Sequence, residues 1–239
     1  MIRNIVTVMR GTVIAQAVAV LILPVLTRLF DPAAFGHLQL YLSVLTMLIV
    51  LPSLRYDIAI LRAEDNELPS LLRLCLRANV IVAALILAIA YVGAALFPES
   101  WLSQSPFPLW TPIAAMVATS VGQVLLYVAI RDERFSVNAN SKVAQAVSYA
   151  AIGVALGVAR IGNSGLVIAD LLGRITSLAW LYRWMRKRTP MSQVGRVSIL
   201  KVASRYREYP LVALPGFIIN SAGVTITPIM IYATFDANA

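Results

Sequence analysis

The chain has 239 residues, of which 59% are hydrophobic and 13% charged, with a net charge of +9 and a mean hydropathy of +0.79. The apolar residues exceed what a soluble domain of this size needs, and they run on without alternating at period two, which excludes both a soluble fold and an outer-membrane barrel. What remains is an all-α, polytopic transmembrane helix bundle, in which each segment satisfies its own backbone.

Seven apolar spans are expected, over 6–29, 38–61, 75–97, 107–130, 140–159, 164–185 and 210–233. The first follows "MIRN". Its "AQA" at 15–17 imitates a signal-peptide cleavage site, but the apolar run continues past it, so a retained helix is expected. Loops 62–77, 131–142 and 183–207 carry most of the arginines and lysines, whereas the alternate loops carry few. The bias places the N-terminus in the cytoplasm and explains the basic charge without nucleic acid as a partner. Trp101 and Trp110 then mark the outer interface, and Trp180 and Trp184 the inner one. The expected organisation is a six-helix lobe over 1–185, a basic cytoplasmic connector over 186–208, and the first helix of a second lobe over 209–239. The chain stops as the seventh span emerges, so the second lobe is expected to be truncated. In the connector, Val194, Val197, Leu200 and Ala203 recur every three residues among basic ones. An amphipathic helix on the inner leaflet and a solvated basic loop both fit that pattern.

Small residues at four-residue spacing, Gly11, Ala15 and Ala19 in the first span and Gly153 and Gly157 in the fifth, predict close helix packing. Pro24, Pro52, Pro210, Pro215 and Pro228 interrupt spans, as kinks of a bundle that opens to two sides or as simple bends. Ionisable residues at membrane depth are costly and tend to mark function. Arg55 and Asp57 are two apart in the second span, so they point to different sides and do not pair. Arg55 lies about 10 Å inside Arg62 at 1.5 Å per residue, within partial reach of the interface by snorkelling. Asp170 and Arg174 are four apart on one helix face and can pair, and Arg174 is near mid-span. Gln16, Gln123, Gln145 and Asn220 add polar groups at depth, so a polar interior between helices is expected. A single Cys75 and a single His37 support neither a metal site nor a Cys–His pair. No Walker loop, HExxH or GxSxG is present, so neither enzyme chemistry nor a bound cofactor is expected.

"GTVIAQAVAVLILPVLTRLFDPAAFGHLQLYLSV" and "SLRYDIAILRAED", with "IRDERF", "GNSGLVIADLLGR" and "SRYREYPLVALPGFIINS" later, resemble bacterial polysaccharide biosynthesis proteins. These are the Wzx-type oligosaccharide flippases of the multidrug/oligosaccharidyl-lipid/polysaccharide exporter superfamily. The pattern rests on Pro24, Leu26, Thr27, Arg28, Leu29, Phe30, Pro32, Phe35 and Gly36, then on Arg55, Tyr56, Ala59 and Ile60. The resemblance spans the chain but only the first half of a layout of twelve to fourteen helices in two lobes. It implies translocation of a polyprenyl-diphosphate-linked oligosaccharide across the bacterial inner membrane by alternating access. Membrane lipids and other polysaccharide assembly proteins are the further partners it implies. In that reading Arg55 and Arg174 line the cavity and meet the head group, with Asp57 and Asp170 holding them or binding a coupling ion. Two other classes stay open, a cation-coupled multidrug antiporter of the same superfamily and a non-transporting fragment or assembly partner.

Overall fold

In the structure, a computed structural model, residues 2–97, 105–187, 197–217, 219 and 223 are described. Among them all regular structure is helical. The helices are α1 Ile2–Leu29, α2 Pro32–Leu48, α3 Tyr56–Ala59, α4 Leu68–Leu96, α5 Trp110–Arg131, α6 Phe135–Val158, α7 Gly165–Lys187 and α8 Ile199–Arg205, followed by a π-helical turn at Tyr209–Ala213. Five of them are long and apolar enough to cross a membrane: α1 from Met9, α4, α5, α6 and α7. The chain is an all-α, multi-pass membrane protein.

Sequence sets the breaks. Pro32 opens α2 behind Asp31, where a missing N–H costs nothing and the fixed φ favours the first turn. The α5–α6 connection turns at Glu133 (φ 56°), and the α6–α7 connection at Arg160 (φ 51°) and Gly162 (φ 80°). Pro24 is accommodated inside α1.

The second span differs from expectation. Instead of a helix over 38–61, α2 ends at Leu48 and residues 49–55 follow as turns. Pro52 has no N–H to continue the ladder, and it disfavours α geometry at Leu51. Leu54 (φ 47°) and Arg55 (φ 62°) then adopt the left-handed region, costing roughly 1–2 kcal/mol each. Arg55 caps the four-residue α3, so it and Asp57 are not side chains of a membrane-length helix. Pro52 ends a helix and does not kink one. Pro210 lies at the start of the π-helical turn. Pro228, Trp101 and most of the seventh span lie outside the described residues.

α5 is the centre of the bundle. It packs on α2, α4 and α7, and more than half of its apolar window is buried. α1 and α4 are peripheral and leave Val20, Leu21, Val80 and Ile81 exposed, as lipid-facing helices do. α1 runs parallel to α6 at close range: Gly11 lies against Ala139, Leu26 against Gly153, and Leu29 against Gly157. Gly11 and the Gly153–Gly157 pair therefore mark a helix interface as expected, whereas Ala19 is exposed. α6 and α7 also meet closely, and a Cβ on Gly173 would lie 3.1 Å from the Gln145 carbonyl. α5 and α6 touch much less than either touches α7, which leaves a gap between them.

Candidate functional site

The gap between α5 and α6, floored by α7, is a cleft of about 120 Å³ whose lining mixes polar side chains with Ala118, Leu126, Leu178 and Leu181. α6 contributes Asn138, Ser141, Lys142 and Gln145. These are spaced i, i+3, i+4 and i+7, so they share one helix face. α5 adds Thr119 and Gln123, and α7 adds Arg174 and Ser177. The cleft runs along α6 from Asn138 to Gln145 and reaches Arg174 on α7. Arg174 lies about 14 Å along α7 from Gly165 and about 20 Å from Lys187 at 1.5 Å per residue.

Arg174 and Asp170 pair as their spacing predicts. Arg174 Nε donates to Asp170 Oδ2 at 2.6 Å and Nη2 to Oδ1 at 3.2 Å, a bidentate arrangement. Nη1 donates to Thr119 Oγ1 of α5 at 3.1 Å. The two side chains are only 16% and 13% exposed. Tyr41 of α2 approaches Asp170, but its buried hydroxyl completes no hydrogen bond of good geometry. Three donors of Arg174 are engaged, and Asp170 neutralises its charge. Lys142 is exposed and has no carboxylate partner among the described residues. The Oδ1 of Asn138, a residue only 7% exposed, is buried and accepts no hydrogen bond.

Arg55 and Asp57 lie elsewhere. Asp57 is 2% exposed and accepts a hydrogen bond from Ser53 Oγ at 2.8 Å. The Arg55 guanidinium stacks over the Phe217 ring, 3.4 Å from its centroid, while its Nε is buried without a partner. The two residues are not paired with each other, as their spacing implies. Arg55 does not line the cleft that holds Arg174. The two sequence-predicted arginines thus occupy separate places, one stacked on the segment after the connector and one inside the bundle.

A third polar group ties the segment after α3 to its neighbours. Arg131, at the end of α5, donates to the carbonyls of Ile60 (2.8 Å) and Ala63 and to Asp65 Oδ1 (2.6 Å). On the other side, Arg205 of α8 donates to Glu67 (2.8 Å) and Glu64 (2.9 Å), and the Tyr206 hydroxyl donates to Glu67 at 2.8 Å. Ser70 Oγ donates to the Val197 carbonyl at 2.6 Å. Beneath these bonds Val202 and Tyr206 enter an apolar cluster with Ile60, Leu68, Leu71 and Val128. The end of the connector is therefore fastened to the bundle. Its packed face differs from the expected stripe: Val202 is buried, whereas Leu200 is 81% exposed. Burial first, and then the Glu67 hydrogen bond, push the Tyr206 phenol up to about 12.

Gln123 and Gln145, singled out as polar groups at depth, do line the cleft. Gln16 does not, being exposed on α1, and Asn220 lies outside the described residues. Lys142 and Asn138 escaped the sequence reading because Lys142 counts equally well as a loop charge. The signal was the four-residue polar face on α6. Trp110 opens α5 and is half exposed, as an interfacial residue would be, and Trp180 is similarly exposed, whereas Trp184 packs on the cluster around Val202.

No family model, curated protein or solved structure matches this chain.

Proposed function

We propose that the chain forms the first lobe of a transporter that moves a polyprenyl-diphosphate-linked oligosaccharide across the bacterial inner membrane, with its N-terminus in the cytoplasm. The observation that carries this reading is the Arg174–Asp170 pair, held at depth in a membrane-length helix, with Arg174 on a cleft lined in part by polar side chains. A diphosphate and a sugar chain cannot enter hydrocarbon, and a bundle that moves them needs polar, cationic surface inside it. Arg174 supplies a fork suited to phosphate oxygens once it exchanges Asp170 for ligand. Arg55 would act at a separate point, where α3 meets the segment after the connector. Asp57 supports the local turn through Ser53. The sequence resemblance to Wzx-type flippases points the same way, and the lobes of such a transporter would rock about a central site.

The test is Arg174→Ala and Arg55→Ala in a strain whose surface polysaccharide depends on this gene. Each variant is expected to lower surface polymer at unchanged abundance in the membrane. Full surface polymer in both refutes the reading. One observation favours a second class, a cation-coupled antiporter of the same superfamily: Asp57 is a buried acid with no cationic partner among the described residues. Altered drug resistance in Asp57→Asn cells with a normal glycan coat would select it.

A further inference from the structure

We infer that the outer face of α4 binds the head group of an anionic phospholipid of the surrounding bilayer through Arg73 and Arg77. Arg73, Leu76, Arg77, Val80 and Ile81 are all exposed, and the stripe they begin continues to Leu96. Steps of three and four residues keep it on one face of the helix. Beyond Arg77 the stripe carries no charge. Leu96 lies about 29 Å from Arg77 at 1.5 Å per residue, against a hydrocarbon core of about 30 Å. With Leu96 at one boundary, Arg77 stands at the other, and Arg73 lies about 6 Å further out, among the head groups. Helical side chains lean towards the N-terminus, which here is the way out of the hydrocarbon. Arg73 takes that direction, its Nε donating to the Pro69 carbonyl at 3.2 Å.

Two other elements mark the same level. Trp184 of α7 packs on the cluster that holds Leu68 and Leu71 of α4, and the exposed Trp180 and Tyr182 lie within a turn of it. Exposed aromatic residues with a polar tip favour the head-group layer. α8 begins beside the first turns of α4, where Ser70 donates to the Val197 carbonyl, and it exposes Leu200 next to Lys201. An apolar and a cationic side chain presented together suit a helix lying at the lipid surface. The charge of the α4 pair is not spent within the protein. The acids just before α4, Glu64, Asp65 and Glu67, are engaged by Arg131 and Arg205. Arg73 and Arg77 have no carboxylate partner among the described residues. Two guanidiniums one turn apart offer forked donors to phosphate oxygens. A choline head group would bring its own cation beside them, whereas a glycerol head group leaves the phosphate charge unopposed. The site lies outside the bundle, and neither arginine lines the α5–α6–α7 cleft. It depends on the chain crossing a bilayer, not on what the bundle transports.

The test is thermal unfolding of the purified protein in dodecylmaltoside micelles titrated with phosphatidylglycerol or phosphatidylcholine. Phosphatidylglycerol should raise the midpoint saturably and at lower concentration than phosphatidylcholine. A basic residue near an anionic lipid surface is worth about fivefold in association, so Arg73→Gln with Arg77→Gln should weaken the apparent phosphatidylglycerol affinity about tenfold or more. Both arginines are exposed, so without lipid this variant should unfold like the parent. Arg183→Gln with Arg186→Gln removes the same charge from exposed positions at the end of α7 and should leave the affinity close to that of the parent. Equal responses to the two lipids overturn the inference. An equal loss in the two double variants makes the attraction a property of overall charge and also overturns it. In phosphatidylglycerol-containing vesicles, a nitroxide at Val80→Cys should be open to oxygen dissolved in the lipid. A shielded nitroxide would mean that a second copy or another protein covers this face, and would overturn the inference as well.

Discussion

Gly11→Ala tests whether the parallel α1–α6 contact holds the bundle together. A Cβ on Gly11 would lie 2.6 Å from Ala139 Cα and 3.0 Å from its carbonyl carbon, against an ordinary contact distance of 3.4–4 Å. The obstacle is backbone, which has no rotamer to give, so the helices must part by about 1 Å. Overpacking of this kind costs typically about 1–3 kcal/mol, and a rigid obstacle places it in the upper half of that range. Alanine returns roughly 1 kcal/mol of helix propensity relative to glycine. The net expectation is a loss of about 1–2 kcal/mol. Gly36→Ala in α2 is the matched control, because nothing lies within 4 Å of its would-be Cβ. It should be neutral or slightly stabilising. Equilibrium unfolding in a mixed-detergent titration reads both. If Gly11→Ala is as stable as Gly36→Ala, the contact is not a fixed part of the fold. The same displacement would move Ala139 and so disturb Asn138 beside it in the cleft.

Two further outcomes follow from the polar groups. Asp170→Ala leaves Arg174 at depth without its carboxylate, and breaking such a pair costs about 3–5 kcal/mol when fully buried and less with water access through the cleft. The double variant Asp170→Ala with Arg174→Leu should regain most of that stability in the same unfolding titration without regaining transport. A double variant no more stable than Asp170→Ala alone would refute this. At the connector, the Tyr206 phenol is raised from 10.0 to about 12. The native state therefore keeps its proton more tightly than the unfolded chain. That contribution is complete below pH 10 and is lost as pH rises towards about 12. Protease access to the connector should rise across that window in the parent protein, and Tyr206→Phe should lack this pH-dependent rise.

Much of the fold was legible in advance because bilayer thickness is a strict ruler. α1, α4, α5, α6 and α7 fall where continuous apolar runs of the required length occur. The second span was misread because hydropathy does not sense backbone geometry. "VLPSLRYDIAIL" is apolar enough to cross, but Pro52 and the left-handed pair Leu54–Arg55 stop the helix seven residues earlier than Arg55. Pro52 was the readable warning, while the left-handed φ values at Leu54 and Arg55 depend on tertiary contacts such as those of Tyr56 and Ile60 in the cluster around Val202.

The site was half legible for a related reason. The Asp170–Arg174 spacing defines a local pair, and local geometry can be read from one helix. What a cleft contains depends on which helices meet. α6 serves two interfaces, with α1 through Gly153 and Gly157 and with α7 opposite Gly173. Its remaining face, carrying Asn138, Ser141, Lys142 and Gln145, is then turned towards the gap beside α5. The same helix thus shows why its small and polar residues occur at similar spacing: one set lets backbones approach, and the other fills the space that this approach leaves open. A lysine seven residues inside α6 is costly if it faces lipid, and the packing of α6 on both neighbours turns Lys142 to the cleft instead.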